Sequence, residues 1–121
     1  MLFTDKEMLM LKPNNFDGKK VDHIRLRGKN GIIMVGADWC EHCTALKPVW
    51  KELRKIAKEH FTVAAVDAVK YPKLTKKLGV SGFPTLFIVD DGKLKPYTEE
   101  RTLFNLVKTM CKYSKHPRCT I

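Results

Sequence analysis

The sequence predicts an α/β fold, built on a central mixed β-sheet of four to five strands that is flanked by helices on both faces. Apolar runs of strand length alternate with amphipathic helical patterns along most of the chain. That order produces parallel strands joined by helical crossovers. A turn signal at residues 90–93, Asp-Asp-Gly-Lys, then separates two short strand patterns. It predicts an antiparallel hairpin at one edge of the sheet.

The first half of the chain supplies two strands and the principal helix. Residues 8–11 are predicted as a short strand, and the polar residues 13–30 as a loop with a short helix. The apolar run at 32–37 is typical of a central strand buried on both faces. A helix follows, because apolar side chains recur at spacings of three and four while charged side chains take the opposite face. Its apolar stripe consists of Leu46, Val49, Trp50, Leu53, Ile56 and Ala57.

The second half of the chain supplies the remaining elements. Residues 62–67 are predicted as a strand, and residues 72–78 as a short helix that ends before Gly79. Two strands at residues 85–89 and 94–97 enclose the turn. An amphipathic helix at residues 99–113 closes the order, with acidic residues in its first turn.

Size and composition indicate one globular domain over residues 1–121. The chain has 121 residues, of which 44% are hydrophobic and 30% charged, enough for a core of its own. Residues 113–121 are polar and are expected to form a flexible tail. No apolar run reaches the roughly 18 residues of a membrane span, and the first residues do not resemble a secretory signal. We therefore expect a cytoplasmic protein that does not associate with a membrane.

The net charge of +10 has two interpretations. It can attract an acidic partner, or it can reflect a lysine-rich surface. The basic residues are scattered, without a basic arm or interleaved aromatic residues, so a nucleic-acid partner is not expected. The densest group lies in a predicted short helix and is placed to steer acidic substrates at low salt. It consists of Lys70, Lys73, Lys76 and Lys77.

Two cysteines, Cys40 and Cys43, are separated by two residues where the buried strand gives way to the helix. A Cys-x-x-Cys pair at a helix N-terminus favours a thiolate on one sulfur and places a second thiol within its reach. The pair therefore predicts disulfide exchange, with Cys40 as the nucleophile and Cys43 as the resolving thiol. Alternatives are a pair of inert buried cysteines and a metal site that includes His42, His116 and Cys119.

Three motifs in register carry a family resemblance. They are the Trp-Cys-x-x-Cys at residues 39–43, Pro48 five residues after the second cysteine, and the Gly-x-Pro-Thr at residues 82–85. Over residues 8–113 the chain resembles the thioredoxin family, in its thioredoxin and protein disulfide isomerase branch. The resemblance implies a cis peptide bond before Pro84, in a loop that faces the cysteines. It also implies that Phe83 contacts an extended substrate segment and that Trp39 shapes the rim of the site.

The chain departs from the family at the positions that move protons. The family usually has a buried acid six residues before the first cysteine, where this chain has Met34. The lysine that often pairs with that acid is matched by Ala65. With Met34 unable to serve as a base for Cys43, the candidates are Glu41, His42, Asp38 or water, and the sequence does not choose among them.

The residues between and before the cysteines are candidates for tuning the site. An imidazolium at His42 stabilises a thiolate on Cys40 and makes the disulfide more oxidising, whereas a carboxylate at Glu41 acts in the opposite direction. We therefore expect a reduction potential between about −270 and −180 mV. Asp38 is a further local charge. The alternative is that all three side chains are simply solvated.

Two more cysteines, Cys111 and Cys119, lie outside the motif. In a reducing compartment they are expected to be free thiols, with Cys111 buried on the last helix. Alternatives are a bond between them, a link between two molecules, or modification. His23, His60 and His116 are expected at the surface.

The sequence thus predicts a thiol–disulfide oxidoreductase that reduces protein disulfides, with an upstream thiol reductase or glutathione as electron donor. The redox-active pair Cys40–Cys43 needs no other cofactor and no metal, and a monomer is expected. Two alternatives remain: a binding module of the same fold with little turnover, and a net dithiol oxidase or isomerase.

Overall fold

The computed structural model of the chain describes residues 1–120 and contains a seven-stranded mixed sheet. The strands are β1 (Leu9–Met10), β2 (Phe16–Asp17), β3 (Lys20–Val21), β4 (Gly31–Gly36), β5 (Thr62–Asp67), β6 (Thr85–Asp90) and β7 (Lys93–Pro96). The α-helices are α1 (Glu41–Ala57), α2 (Pro72–Lys77) and α3 (Leu103–Tyr113). Short 3₁₀ turns lie at Pro13–Asn15, Ile24–Leu26 and Pro117–Thr120. The strands lie side by side in the order β1-β5-β4-β6-β7-β3-β2.

Strand β4 occupies the centre of the sheet. It pairs in parallel with β5 and antiparallel with β6, so that Met34 lies opposite Ala65 on one side and Leu86 on the other. Every residue of β4 and of β5 is buried. This confirms the prediction of a central strand covered on both faces, as its unbroken apolar run indicated.

Helices cover both faces of the sheet, as the sequence predicts. Successive residues of a strand point to opposite faces, so β4 contributes Ile32 and Met34 to one core and Ile33 and Val35 to the other. Helices α1 and α3 pack on the first of these cores, and α2 packs on the second. The molecule is therefore a three-layer sandwich, and the Cys-x-x-Cys pair lies at one end of its central strand.

Helix α1 follows the predicted apolar stripe and contains Pro48. Its largest buried side chain, Trp50, is fully enclosed, and the indole Nε1 donates a hydrogen bond to the Ala64 carbonyl oxygen at 3.0 Å. Burying a side chain of this size contributes about 3–5 kcal/mol relative to alanine. The contact fixes the helix against β5, and so fixes the position of the cysteines at its beginning.

The sheet has more strands than the four to five predicted. The additional pair is the β2–β3 hairpin, which extends the sheet beyond β7 through residues predicted as loop. Each of its strands is only two residues long, too short for an alternating pattern to be visible in the sequence. Helix α3 also begins later than predicted, because Thr102 caps it by accepting the Asn105 N–H at 3.1 Å.

The prediction of a loose tail with free thiols is wrong for residues 114–119. A disulfide joins Cys111 to Cys119. Between them, His116 is only 4% exposed, and its Nε2 lies 2.7 Å from the Ile56 carbonyl oxygen, at the end of α1. The His116 ring also packs edge-on against His60, with ring centroids 4.8 Å apart. The disulfide and the His116 contacts hold this segment on the body of the protein, while Ile121 lies outside the described residues.

Within residues 1–120, none of the helices has the length and apolar character that crossing a membrane requires.

Candidate active site

Cys40 caps the N-terminus of α1. Its backbone is extended (φ −87°, ψ 120°), and its Sγ accepts the N–H of Cys43 at 3.2 Å. The first N–H groups of a helix have no partner inside the helix, so the sulfur occupies the place that a capping oxygen usually takes. A sulfur in this position receives the donors and the helix dipole that stabilise negative charge.

Cys43 lies one turn further along and is completely buried, whereas Cys40 retains 7% exposure. Burial, followed by the hydrogen bond with Cys40, raises the pKa of the Cys43 thiol to about 11. Both cysteines are free thiols in the structure. Cys40, the more accessible of the two sulfurs, is the one that the sequence predicts to attack, and the fully buried Cys43 is the one that it predicts to resolve.

Gly36, at the end of β4, makes room for the buried sulfur. A Cβ atom at this position would lie 3.0 Å from the Cys43 Sγ and 3.3 Å from the Leu2 Cδ2. The first of these distances is at the lower limit for a Cβ contact, so a side chain at Gly36 would displace the resolving thiol. Sequence reasoning missed this residue, because a glycine in a strand carries no chemical signal of its own.

The loop before β6 brings a backbone carbonyl to the nucleophile. The Phe83–Pro84 peptide bond is cis, and the Cys40 Sγ donates a hydrogen bond to the Phe83 carbonyl oxygen at 3.5 Å. The Trp39 ring packs edge-on against the Phe83 ring with centroids 5.7 Å apart, and Trp39 is 69% exposed. These two aromatic side chains form a rim beside the Cys40 sulfur.

The three candidate tuning residues lie in different settings. Glu41 and His42 are exposed on the first turn of α1. Asp38 binds the amino group of Met1 at 2.8 Å, and this contact holds the pKa of the Asp38 carboxyl below its usual value. Asp38 is thus engaged by another charge.

The interior beneath the cysteines offers no proton carrier at the two positions that the family uses. Met34 and Ala65 are paired in register across β4 and β5 and are both completely buried. Neither side chain can accept or release a proton. Burial among the hydrophobic side chains of this core is the largest cause of the raised pKa of the Cys43 thiol.

Arg101 is a site residue that sequence reasoning missed. Its guanidinium Nη1 donates to the Pro84 carbonyl oxygen at 3.3 Å, and its positive charge lowers the pKa of Cys43, in partial opposition to burial. It lies in the segment between β7 and α3, as one of 23 basic residues. Only the three-dimensional placement distinguishes it from the others.

The residues considered for a metal site are not brought together. Cys119 is bonded to Cys111, and His116 contacts the end of α1. In the described part of the chain, no three or more His, Cys, Asp and Glu side chains are grouped so that they could hold a metal ion.

Comparison with known proteins identifies the family. The family model "Thioredoxin" matches residues 7–112. A protein disulfide isomerase-like 2-3 of Oryza sativa subsp. japonica is 36% identical over 88 residues, which are 71% of this chain and 19% of that protein. Protein disulfide-isomerase A6 of Homo sapiens is 34% identical over 90 residues, covering 74% of this chain and 20% of the relative. The chain therefore spans about a fifth of the length of these curated relatives.

Solved structures agree with this result. The J-Trx1 fragment of ERdj5 superimposes with a TM-score of 0.75 at 26% identity, over 89% of this chain and 52% of that one. The first thioredoxin domain of mouse protein disulfide-isomerase A4 gives a TM-score of 0.69 at 26% identity, over 85% and 72% of the two chains. With its Cys-x-x-Cys pair at the start of α1 and its cis-proline loop opposite, the chain belongs to the thioredoxin family, in its thioredoxin and protein disulfide isomerase branch.

Proposed function

We propose that the chain exchanges disulfides with protein substrates through the dithiol Cys40–Cys43. The observation that carries this proposal is the setting of the Cys40 sulfur. It accepts the Cys43 N–H at 3.2 Å at the beginning of α1 and retains 7% exposure, while the thiol of Cys43 is fully buried. A sulfur at a helix N-terminus with a second thiol three residues away is the arrangement that disulfide exchange requires.

The reaction has two displacement steps. The Cys40 thiolate attacks one sulfur of the substrate disulfide, so that the substrate S–S bond breaks and a mixed disulfide forms. The other substrate sulfur leaves as a thiolate and takes a proton from water. Cys43 then loses its proton to water and attacks the Cys40 sulfur, which releases the second substrate thiolate and leaves a Cys40–Cys43 disulfide. The two electrons that reduce the substrate disulfide come from the sulfurs of Cys40 and Cys43, so these two steps need no further cofactor.

The rim around Cys40 supports binding of an extended substrate segment. The backbone of Phe83 reaches the sulfur, and a segment that pairs with it as an added strand presents its own disulfide to Cys40. The exposed Trp39 ring beside Phe83 offers an apolar surface to the substrate side chains. We assign substrate contact to these residues and to Pro84, and electrostatic adjustment of the reaction to Glu41 and His42.

The redox conditions of the compartment determine whether the protein mainly reduces disulfides or mainly forms them. Net reduction in the cytoplasm, with a thiol reductase or glutathione as electron donor, stays a prediction from the sequence. The disulfide between Cys111 and Cys119 supports a different setting, because such bonds persist in oxidising compartments. In that setting the same two steps run in reverse, and the chain oxidises or isomerises the thiols of its substrates, as the names of its relatives suggest.

Trapping the intermediate tests the proposal. In the Cys43→Ser variant the second step is absent, so mixed disulfides with a protein substrate that contains disulfide bonds accumulate. They are visible on a non-reducing gel as bands that dithiothreitol removes. The matched Cys40→Ser variant keeps one thiol but gives no such bands. Insulin reduction by the unaltered protein measures turnover. A Cys43→Ser variant that traps nothing, with no insulin reduction above the dithiothreitol background, would contradict the proposal.

A second candidate function is a binding module with slow turnover. Two observations favour it: burial holds the Cys43 thiol at a pKa of about 11, and Met34 supplies no base. The two functions differ in the second step. Fast formation of the mixed disulfide with resolution in the range of hours would indicate the module.

A further inference from the structure

A groove lies on the opposite face of the sheet from α1, between the β2–β3 hairpin and α2. Its volume is about 770 Å³. The floor is apolar and is formed by Phe16, Tyr71 and Leu74, of which Phe16 and Tyr71 are half-buried. A groove of this size accepts one or two side chains of a polypeptide segment.

The rim of the groove is basic. Lys70, Lys73 and Lys77 line it and are exposed, whereas Asp17 is the one acidic residue among the described residues of its lining. In the part of the chain that the structure describes, no carboxylate lies within ion-pair distance of these three lysines. Three of the four lysines in the densest lysine group of the sequence therefore line a groove with an apolar floor.

The walls of the groove are held in place. The Lys19 side chain crosses from the hairpin to α2, where its Nζ donates to the Leu78 carbonyl oxygen at 2.8 Å. The same ammonium group lies 5.6 Å from the centroid of the Phe87 ring, on β6. The hairpin is also part of the sheet through the pairing of β3 with β7. A segment that enters the groove thus meets a preformed surface, which lowers the entropic cost of binding.

The groove opens at the same end of the sheet as the active-site cysteines. Strands β1, β4 and β5 are parallel, so their carboxyl ends lie at the same end of the sheet. Pro13 follows β1, Cys40 follows β4 and Tyr71 follows β5. Two of these residues, Pro13 and Tyr71, line the groove.

From these observations we propose that the groove binds an acidic polypeptide segment that carries an apolar side chain. The apolar side chain rests on Phe16 and Tyr71, and the flanking carboxylates face the three lysines. Complementary charge around an apolar anchor gives such a contact both its orientation and its preference for one partner. The contact does not use the cysteines and is separate from disulfide exchange.

A binding experiment with a defined probe tests the proposal. The probe is a fluorescent peptide of sequence Gly-Asp-Glu-Phe-Glu-Asp-Gly, and its anisotropy is measured with the full chain at about 0.1 M ionic strength, where charges more than about 10 Å apart are largely screened. Charge reversal in Lys73→Glu/Lys77→Glu is expected to weaken binding about tenfold or more, since it replaces attraction with repulsion. The matched variant Lys55→Glu/Lys108→Glu makes the same change of net charge on α1 and α3 and is expected to change binding by less than about twofold. Exchange of the peptide Phe for Ser is expected to weaken binding by about tenfold.

Further measurements separate the proposal from its alternatives. The neutral pair Lys73→Gln/Lys77→Gln and the thermal unfolding temperature of each variant show whether a loss reflects the groove or the fold. A Cys40→Ser/Cys43→Ser variant is expected to bind the peptide as well as the unaltered chain does. Equal loss in both charge-reversal variants, or equal binding of a peptide with Lys in place of its acids, would overturn the proposal. So would failure of the acidic peptide to bind while single-stranded DNA or phosphatidylserine vesicles bind through the same lysines.

Discussion

The buried thiol of Cys43 makes the second step of exchange steeply dependent on pH. Only the thiolate attacks a disulfide, and burial raises the pKa of this thiol from 9.0 to about 11. The hydrogen bond and charge of Cys40 contribute to that value, and both disappear when Cys40 is in the mixed disulfide. The pKa that governs resolution is therefore expected between 9.0 and about 11. Since the thiolate fraction falls tenfold per pH unit below the pKa, about one molecule in a hundred to one in ten thousand is reactive at pH 7.

The step can be observed directly with an aromatic disulfide that releases a coloured thiolate. Attack by Cys40 releases one equivalent of colour, and attack by Cys43 on the mixed disulfide releases the second. The rate of the second phase is measured by stopped flow between pH 7 and pH 10. We expect it to rise about tenfold from pH 7 to pH 8 and to continue to rise above pH 8, while an added thiol such as dithiothreitol bypasses the step. A second phase that levels off below pH 8 would show that a base, or a charge not identified in the site, ionises Cys43, and the reasoning from burial would be wrong.

Three further perturbations give defined outcomes. Arg101→Gln removes the cation that favours the thiolate of Cys43, so the second colour phase should slow by up to about fivefold, the range of an exposed charge contact. Arg101→Lys should restore the rate. An unchanged second phase in Arg101→Gln would exclude the charge effect. Gly36→Ala crowds the Cys43 sulfur and should lower the midpoint of urea unfolding by an amount equivalent to about 1–3 kcal/mol. The control Gly82→Ala should leave the midpoint unchanged, because a Cβ atom there meets nothing within 4 Å. Equal midpoints for the two variants would show that the sulfur moves without cost. Loss of the Cys111–Cys119 disulfide in Cys111→Ser/Cys119→Ser should reduce the free energy of unfolding by about 2.5 kcal/mol, from the entropy of a loop of this length. The unaltered chain in reductant should show the same loss. An unchanged free energy of unfolding would mean that the segment is held by its other contacts.

The parts of the fold that follow from hydrophobic periodicity could be predicted from the sequence. Residues 62–67 are predicted and observed as a strand, because six consecutive residues with a buried pattern leave little choice of structure. The β2–β3 hairpin could not be predicted. Its strands are two residues long, and they are stabilised by pairing with β7 rather than by a pattern of their own. Such elements depend on the rest of the sheet, which the local sequence does not describe.

The candidate site divides in a similar way. Cys40 and Cys43 are recognisable because their chemistry and spacing are both in the sequence. Gly36 and Arg101 contribute only through contacts made in the folded chain. Gly36 leaves space for the Cys43 sulfur, and Arg101 donates to the Pro84 carbonyl oxygen. Neither residue type indicates such a contact in the sequence. The tail prediction failed for a related reason. Composition describes residues 114–120 as polar, but a disulfide and a single buried imidazole are enough to hold them in place.

The short outer strands of the sheet bear on how the protein behaves in concentrated solution. The sheet is bordered by β1 and β2, each two residues long. An outer strand of this length offers few unpaired backbone groups to a second molecule, and long open borders are what promote joining of sheets between molecules. We therefore expect that sheets of two molecules do not join through β1 or β2, and that backbone pairing with another polypeptide takes place at the loop of Phe83, where a substrate would bind.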